Sequence, residues 1–557
     1  MSTLQQRISN RGFPVHAGLL PPEGRMFFDI STIVLLCVGV FVVLTFKDYG
    51  IIWDAEVQNN YGKMLLKYYM SGFTDRSAFS YQNLYLYGGS FDLVAAIVNR
   101  WISPFGEYAT RSLLGGLVGL LAIFGTWRLT RLIAGERAGF IATLLLALNP
   151  VFYGHMFINP KDVPFACGMV WTLYYSVRCI GLLPRIPVGL AIRLGFVLGV
   201  TLGTRIGGVL AGCYLVAGLI AWLALFAYRE GPAAALKAGG RIALSLLPAL
   251  PVMYLTMIAL WPWAGQSLGN PITALQTFAH FPWDGEVLLN GRLVPSLDLP
   301  WFYLPLLLVV QSPEMLLAGL VCAVVVLTVT AVRRFPALMP PTRFVQWGTV
   351  ALAATFPIAF FIIDRPVAYN GYRHFLFVVP PLTILAGIGF DRVWQNVAGF
   401  PERWRRLLTL AFAGAVGFQV WSMARLHPDE YIFFNQLVGG VQGAEPRYEL
   451  DYWGTSLGEA ALRLEDYVED ETHGVLPREP YKLMVCGHPL SVMNFLPHKH
   501  FVLTNDPMQV DFFVAWTQSG CDDAIQGKQI IRVQRGGAVL SVVKDMRGQK
   551  PFSERLD

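Results

Sequence analysis

The chain has 557 residues, of which 54% are hydrophobic and only 14% charged, with a mean hydropathy of +0.47, whereas a soluble domain carries about 25% charged residues. That composition excludes an ordinary soluble globular protein and describes one that crosses a membrane. The formal net charge of +6 comes mostly from arginines and lysines gathered at one set of helix ends, so it gives no reason to propose nucleic acid as a partner.

In chain order, residues 1–26 form a cationic N-terminal segment. The run "FFDISTIVLLCVGVFVVLTF" at 27–46 is too long for a signal-peptide core, and no small-residue cleavage site follows, so it is read as the first span. Residues 47–111 make a long loop. Its stretches "NNYGKMLLKYYMSGF" and "GGSFDLVAAIVNRWI" carry apolar residues at helical spacing, with aromatics among cations, and predict helices lying in the membrane interface.

Apolar runs near 112–133, 138–157, 163–183, 186–204, 206–228, 241–261, 314–332, 345–363, 372–390 and 405–425 each approach the roughly 20 residues that a spanning helix needs. With the first they predict a polytopic α-helical membrane region over 27–426 with about eleven transmembrane helices. The shorter "LPWFYLPLLLVVQ" at 299–311 contains a proline and reads as a re-entrant or interfacial piece. The surrounding loop, 262–313, is rich in Trp, Pro and Gly and reads as irregular structure.

From 427 charges become frequent and apolar runs shorten. A helix is predicted in "TSLGEAALRLEDYVED", and strands in "YKLMVC", "HFVLT", "DFFVAWT" and "QIIRVQ", the last paired with "AVLSVVKD" across "RGG", a hairpin signal. Residues 427–557 are therefore expected to form a small α/β domain.

Cationic loops are retained on the cytoplasmic side. Arg25, Arg128, Arg131, Arg137, Arg333, Arg334, Arg392, Arg405 and Arg406, among others, fall at one set of ends, which places the N-terminus inside and both long loops and the tail outside. Five cysteines lie in predicted spans as small apolar packers. Cys486 and Cys521 share the tail, where an oxidising compartment permits a disulfide.

Ionisable groups at span ends that cytoplasmic snorkelling does not explain are functional candidates. On the outer side they gather in "GIIWDAEVQNNYG" (Asp54, Glu56), "HMFINPKDVPF" (His155, Lys161, Asp162), "LGTRIGG" (Arg205) and "FIIDRPVAYNGYRHFLFVVPP" (Asp364, Arg365, Arg373, His374). Carboxylates beside fixed cations suit an acid or base working next to a phosphate leaving group. Bland readings stand beside this one: Asp162 as a cap accepting from free N–H groups of the following helix, Asp54 and Glu56 as solvated loop carboxylates, His155 and His374 as hydrogen-bonded structural histidines.

These stretches, with "LNPVFYGHMFINPKDVPF" and the tail opening "HPDEYIFFNQLVGG" to "ELDYWGTSLGEA", resemble the GT-C superfamily of polytopic glycosyltransferases, in the branch of protein O-mannosyltransferases and lipid A aminoarabinose transferases. The resemblance implies a GT-C membrane fold with an extracytoplasmic C-terminal α/β domain, in a bacterial inner membrane. It implies a polyprenyl-phosphate sugar donor and an acceptor hydroxyl on an envelope lipid, glycan or protein, joined by inverting transfer. It makes Asp54 the base, with Glu56 offset by Ala55, and has Asp162 orient the site. Lys161, Arg205 and Arg373 would stabilise the departing lipid phosphate, His155 and His374 would join the substrate-binding groups, and a divalent cation between Asp54 and Asp162 is left open. Two other classes compete: a transporter of an anionic lipid or sugar, and a non-catalytic scaffold of envelope assembly.

Overall fold

The computed structural model describes residues 21–548 except 104, 280, 282, 335–340, 398 and 476–478; the expectations for residues 1–20 lie outside the described residues. The chain is an integral membrane protein. Among the described residues seven helices are long and apolar enough to cross a membrane: Pro22–Thr45, Glu107–Ala134, Ile206–Glu230, Pro232–Leu260, Thr342–Asp364, Arg373–Val397 and Glu402–Leu426. Two bent pairs raise the count to as many as nine, against the expected eleven or so. The runs at 163–183 and 186–204 fold as the helices Asp162–Gly181 and Val188–Leu202, and neither is among the seven.

The bends have local causes. Pro150 has no N–H to continue a ladder, and the Asn149 side chain accepts from the Phe152 N–H at 2.9 Å, so a helix ends at Ala147 and a new one, Pro150–Ile158, starts at 62° to it. At Pro313 the chain turns by 115° between Tyr303–Val310 and Glu314–Val329, a broken or re-entrant geometry like the one read from 299–311.

The two ends of the bundle carry different charges. At one, Arg137 bridges Glu23 (2.8 Å) and Asp391 (2.6 Å), tying the first helix to the Glu136 turn and to the end of the Arg373–Val397 helix. At the other lie the turns at 159–161 and 203–205 and the start of the Arg373–Val397 helix. Over them sits the first long loop, whose helices Ala55–Met70 and Ser90–Trp101 pack on each other. That loop is locked down at Gly88, where an added Cβ would fall 1.9 Å from the Gly203 carbonyl oxygen. Beside it, Ser90 N–H donates to Gly203 O (3.1 Å), and the Ser90 and Thr204 hydroxyls share a hydrogen bond (2.6 Å).

The loop at 262–313 is more ordered than expected. It holds a helix, Asn270–Ala279, and a hairpin of β1 (Glu286–Leu289) and β2 (Arg292–Pro295). The hairpin turns on Asn290 and Gly291, both at positive φ (51° and 77°), the geometry that an Asn-Gly pair favours.

The tail sheet has the order β4-β3-β5-β7-β6, with β3 Tyr481–Cys486, β4 Phe501–Leu503, β5 Phe512–Trp516, β6 Lys528–Arg535 and β7 Ala538–Asp545. β3 pairs in parallel with β4 and β5, while β7 is antiparallel to β5 and β6. The helix Ser456–Thr472 covers one face. A disulfide joins Cys486 to Cys521. The composition boundary at 427 is not a packing boundary: Tyr431, Tyr452 and Trp453 lie in one core cluster with Val42, Phe157 and Leu376 of the membrane part.

Candidate active site

Asp162, the first residue of its helix, is 2% exposed. Arg205, from the glycine-rich turn, donates to its Oδ1, and Arg373 lies 3.4 Å from Oδ2. Asn159 completes the cradle. Its amide nitrogen donates to Asp162 Oδ2 (2.9 Å) and its oxygen accepts from the N–H groups of Lys161 (3.1 Å) and Asp162 (2.8 Å). Asn159, not Asp162, therefore takes the first N–H groups at this helix start, and the Asp162 carboxylate is free to hold two guanidiniums. Breaking such a buried pair from one side typically costs about 3–5 kcal/mol.

Both arginines are further fixed by rings. The Arg373 guanidinium stands 4.9 Å from the ring centroids of both Tyr369 and Trp453, and its buried Nε has no hydrogen-bond partner among the described residues. Arg205 (5.8 Å) and Lys161 Nζ (4.2 Å) share the Tyr87 ring, which packs at 4.3 Å on Phe278. Burial pulls the Lys161 ammonium below its ordinary pKa, while the charges of Asp54, Asp92 and Asp162 act against that.

Asp54 is half-buried at the start of the Ala55–Met70 helix and makes no side-chain cap. Among the described residues its carboxylate has no hydrogen-bond or salt-bridge partner, yet its charge reaches Lys161 and Arg373. Three cations thus face two carboxylates, an excess of one positive charge. Beside them the buried Asp92–Arg111 pair neutralises itself.

The other sequence candidates are placed differently. Glu56 is exposed and faces His488 of the tail at 3.7 Å, not the arginines. His155, expected among substrate-binding groups, is fully buried: Nε2 meets the Tyr452 hydroxyl (3.0 Å) and Nδ1 meets the Asn159 amide (3.2 Å). It supports the residue that supports Asp162. His374 is half-buried and stands edge-on to Tyr369 at 4.7 Å, and its charge state is felt by Asp162. Asp364 and Arg365 are exposed.

A divalent cation between Asp54 and Asp162 does not fit these residues, because both Asp162 oxygens are taken by Arg205, Arg373 and Asn159. Among the described residues no group of three or more His, Cys, Asp and Glu side chains forms a metal cage. Sequence reading missed Asn159, Tyr87, Trp453 and Glu449. Asn159 had a signal in the spacing of "NPKD", an Asn placed to accept from N–H groups two and three residues on. Glu449, which accepts from the Asn370 and Leu288 N–H groups with its charge reaching Arg373, and whose carboxyl burial pushes up to about 7, had none.

Residues 110–255 match the family model of dolichyl-phosphate-mannose-protein mannosyltransferases. No curated protein matches the chain. Similar solved structures include ArnT from Cupriavidus metallidurans in the apo state (16% identity, TM-score 0.48, 93% of this chain and 97% of that one). Others are AglB from Archaeoglobus fulgidus with an inhibitory peptide and a dolichol-phosphate (14%, 0.45, 88% and 69%) and the arabinofuranosyltransferase AftD from Mycobacteria (11%, 0.42, 93% and 40%). The matched segment contains Asn159, Lys161, Asp162 and Arg205, so the salt-bridged half of the site lies in the part similar to protein mannosyltransferases, in line with the GT-C resemblance of the motifs.

Proposed function

We propose that the chain is an integral-membrane glycosyltransferase that moves one sugar from a polyprenyl-phosphate donor to an acceptor hydroxyl on the outer face of a bacterial plasma membrane, with inversion. The observation that carries this reading is the Asp54 carboxylate, without a hydrogen-bond or salt-bridge partner among the described residues, its charge reaching Lys161 and the Arg373 that Asp162 holds. A free carboxylate suits a general base, and prearranged guanidiniums suit a developing phosphate charge.

In this mechanism Asp54 takes the proton of the acceptor hydroxyl as the oxygen bonds to the anomeric carbon. The bond from that carbon to the phosphate oxygen breaks on the opposite side. The electron pair stays on the lipid phosphate, where Lys161, Arg205 and Arg373 stabilise it. No step requires a metal. The gathering of charge at one end of the bundle, rather than at its middle, favours this over a transporter.

Asp54→Asn tests it in purified protein with a defined polyprenyl-phosphate sugar. It keeps shape but removes the proton acceptor, so turnover is expected to fall about a hundredfold or more while donor affinity changes little. Normal turnover in Asp54→Asn with loss in Glu56→Gln would move the base to Glu56. Loss of donor binding in both would make Asp54 structural.

A further inference from the structure

The tail sheet meets the Asp54 loop at one place, and that place has the form of a ligand site. The parallel neighbours β3 and β5 end side by side, Cys486 opposite Ala515, so that Gly487–His488 and Trp516 follow at the carboxyl ends of adjacent strands. From β3 the chain leaves toward β4 on one flank, and from β5 it leaves toward β6 beyond β7 on the other. A crevice outside carboxyl ends where connections diverge in this way is the general ligand position of open α/β sheets. The Cys486–Cys521 disulfide ties the two exits together.

What stands against these strand ends comes from the membrane part. Trp53, next to Asp54, is 45% exposed, stacks on Trp516 at 5.8 Å with 20° between the planes, and stands 5.4 Å from His488. It is held from behind, its N–H donating to Trp453 O (3.3 Å), while Ser491 donates to Ile51 O (2.6 Å). His488 carries a buried Nδ1 with no hydrogen-bond partner among the described residues, and Glu56 is opposite its Nε2. Burial holds this imidazole below its ordinary pKa, so at neutral pH it offers one donor and one acceptor.

We propose that Trp53, Trp516, His488 and Glu56 form the acceptor subsite, and that what it takes is a pyranose ring, its C–H face on the exposed indole and its hydroxyls on the imidazole and carboxylate. The proposal rests on the glycosyltransferase reading above and names the acceptor class for that site. An indole face beside Glu56 and Asp54, with no cation over it among the described residues, suits a neutral polyol better than a phosphate. An extended peptide would need a strand edge to pair with, and β5 is already paired on both sides. The ring could belong to a free glycan or to the head of a glycolipid.

The test uses the full chain in nanodiscs and saturation-transfer NMR with three probes: mannotriose and maltotriose, the same trisaccharides on a lipid anchor, and a serine/threonine peptide of similar size. Saturation of pyranose C–H protons is expected from wild type, at least tenfold weaker in Trp53→Ala and Trp516→Ala and partly kept in Trp53→Phe, with melting temperature and polyprenyl-phosphate binding unchanged. Transfer to the free sugars identifies a glycan acceptor, and transfer to the anchored sugars alone identifies a glycolipid. No transfer to any sugar, equal transfer in the alanine variants, or competition by the peptide overturns the proposal. Loss of turnover in Asp54→Asn with no sugar binding would leave the base reading standing without the subsite, and sugar binding with normal Asp54→Asn turnover would do the reverse.

Discussion

At the scale of residues the site is organised around a single buried carboxylate with two guanidiniums on it. Asp162→Asn keeps the volume but leaves Arg205 and Arg373 without their counter-charge, and the expected loss is about 3–5 kcal/mol of stability, seen as a lower melting temperature in nanodiscs. Asn159→Ala is milder: it removes the oxygen that accepts from two N–H groups, worth about 1 kcal/mol as for a cap, and the amide bonds to Asp162 and His155, and should weaken donor binding more than it lowers the melting temperature, because it frees the carboxylate to turn. The sequence made the "KD" pair legible as either a cap or a site. It could not decide between them, because Asn159 reads as a turn residue before proline, and only its two accepted N–H bonds show that the capping role is already filled.

At the scale of elements the most constrained joint is the one between the first long loop and the Arg205 turn. Gly88→Ala would set a methyl carbon 1.9 Å from the Gly203 carbonyl oxygen, and backbone cannot give as a flexible side chain can. The expected cost is about 1–3 kcal/mol, the range for overpacking. Donor affinity should fall with it, since Tyr87, beneath Lys161 and Arg205, is the adjacent residue; thermal unfolding and polyprenyl-phosphate titration check both. Strands in the tail were readable nearly to the residue, because β3, β5 and β7 are runs of branched and aromatic residues bounded by Gly, Asp or Pro. The β1–β2 hairpin was not, because four-residue strands beside prolines give no alternation to count, although "NG" was there to be weighed. The runs at 163–183 and 186–204 read as spans by hydropathy, and their helices, Asp162–Gly181 and Val188–Leu202, are what separates the expected eleven from the seven to nine that pass on length and composition among the described residues.

At the scale of the molecule, the tail and the first span are joined by a titratable bridge. His427 takes Glu430 on Nδ1 (2.8 Å) and Asp48 on Nε2 (3.0 Å). Burial alone would lower its pKa, but the hydrogen bonds and charges of those carboxylates outweigh it and raise the imidazolium to about 9. A folded value above the unfolded one, about 6.5, means that the contribution is complete below about pH 6.5 and is lost as pH rises through about 9. Next to it, burial and Asp451 push the Asp429 carboxyl up, which also removes stability as pH rises, from a lower starting point. Melting temperature should therefore decline between about pH 6.5 and 9, and His427→Gln should flatten that part of the profile. Reduction of Cys486–Cys521, 35 residues apart, should cost about 2–4 kcal/mol of tail stability, read by denaturant titration with and without reductant.

Gly154 has no room for a methyl because the Tyr431 backbone nitrogen would lie 2.5 Å away, and this contact sets an order in time. The helix that bears His155 is made by the ribosome well before Tyr431, Tyr452 and Trp453, which enclose that histidine. Until they arrive, the Asn159–Asp162 cradle has an open back. Between the synthesis of Arg373 and that of Trp453 a nascent chain therefore carries all the charged groups of the site without the residues that close it. A chain stopped at 426 should be inserted in the membrane yet bind no polyprenyl phosphate, and supplying residues 427–557 as a separate polypeptide should restore binding; pull-down on immobilised lipid phosphate measures both.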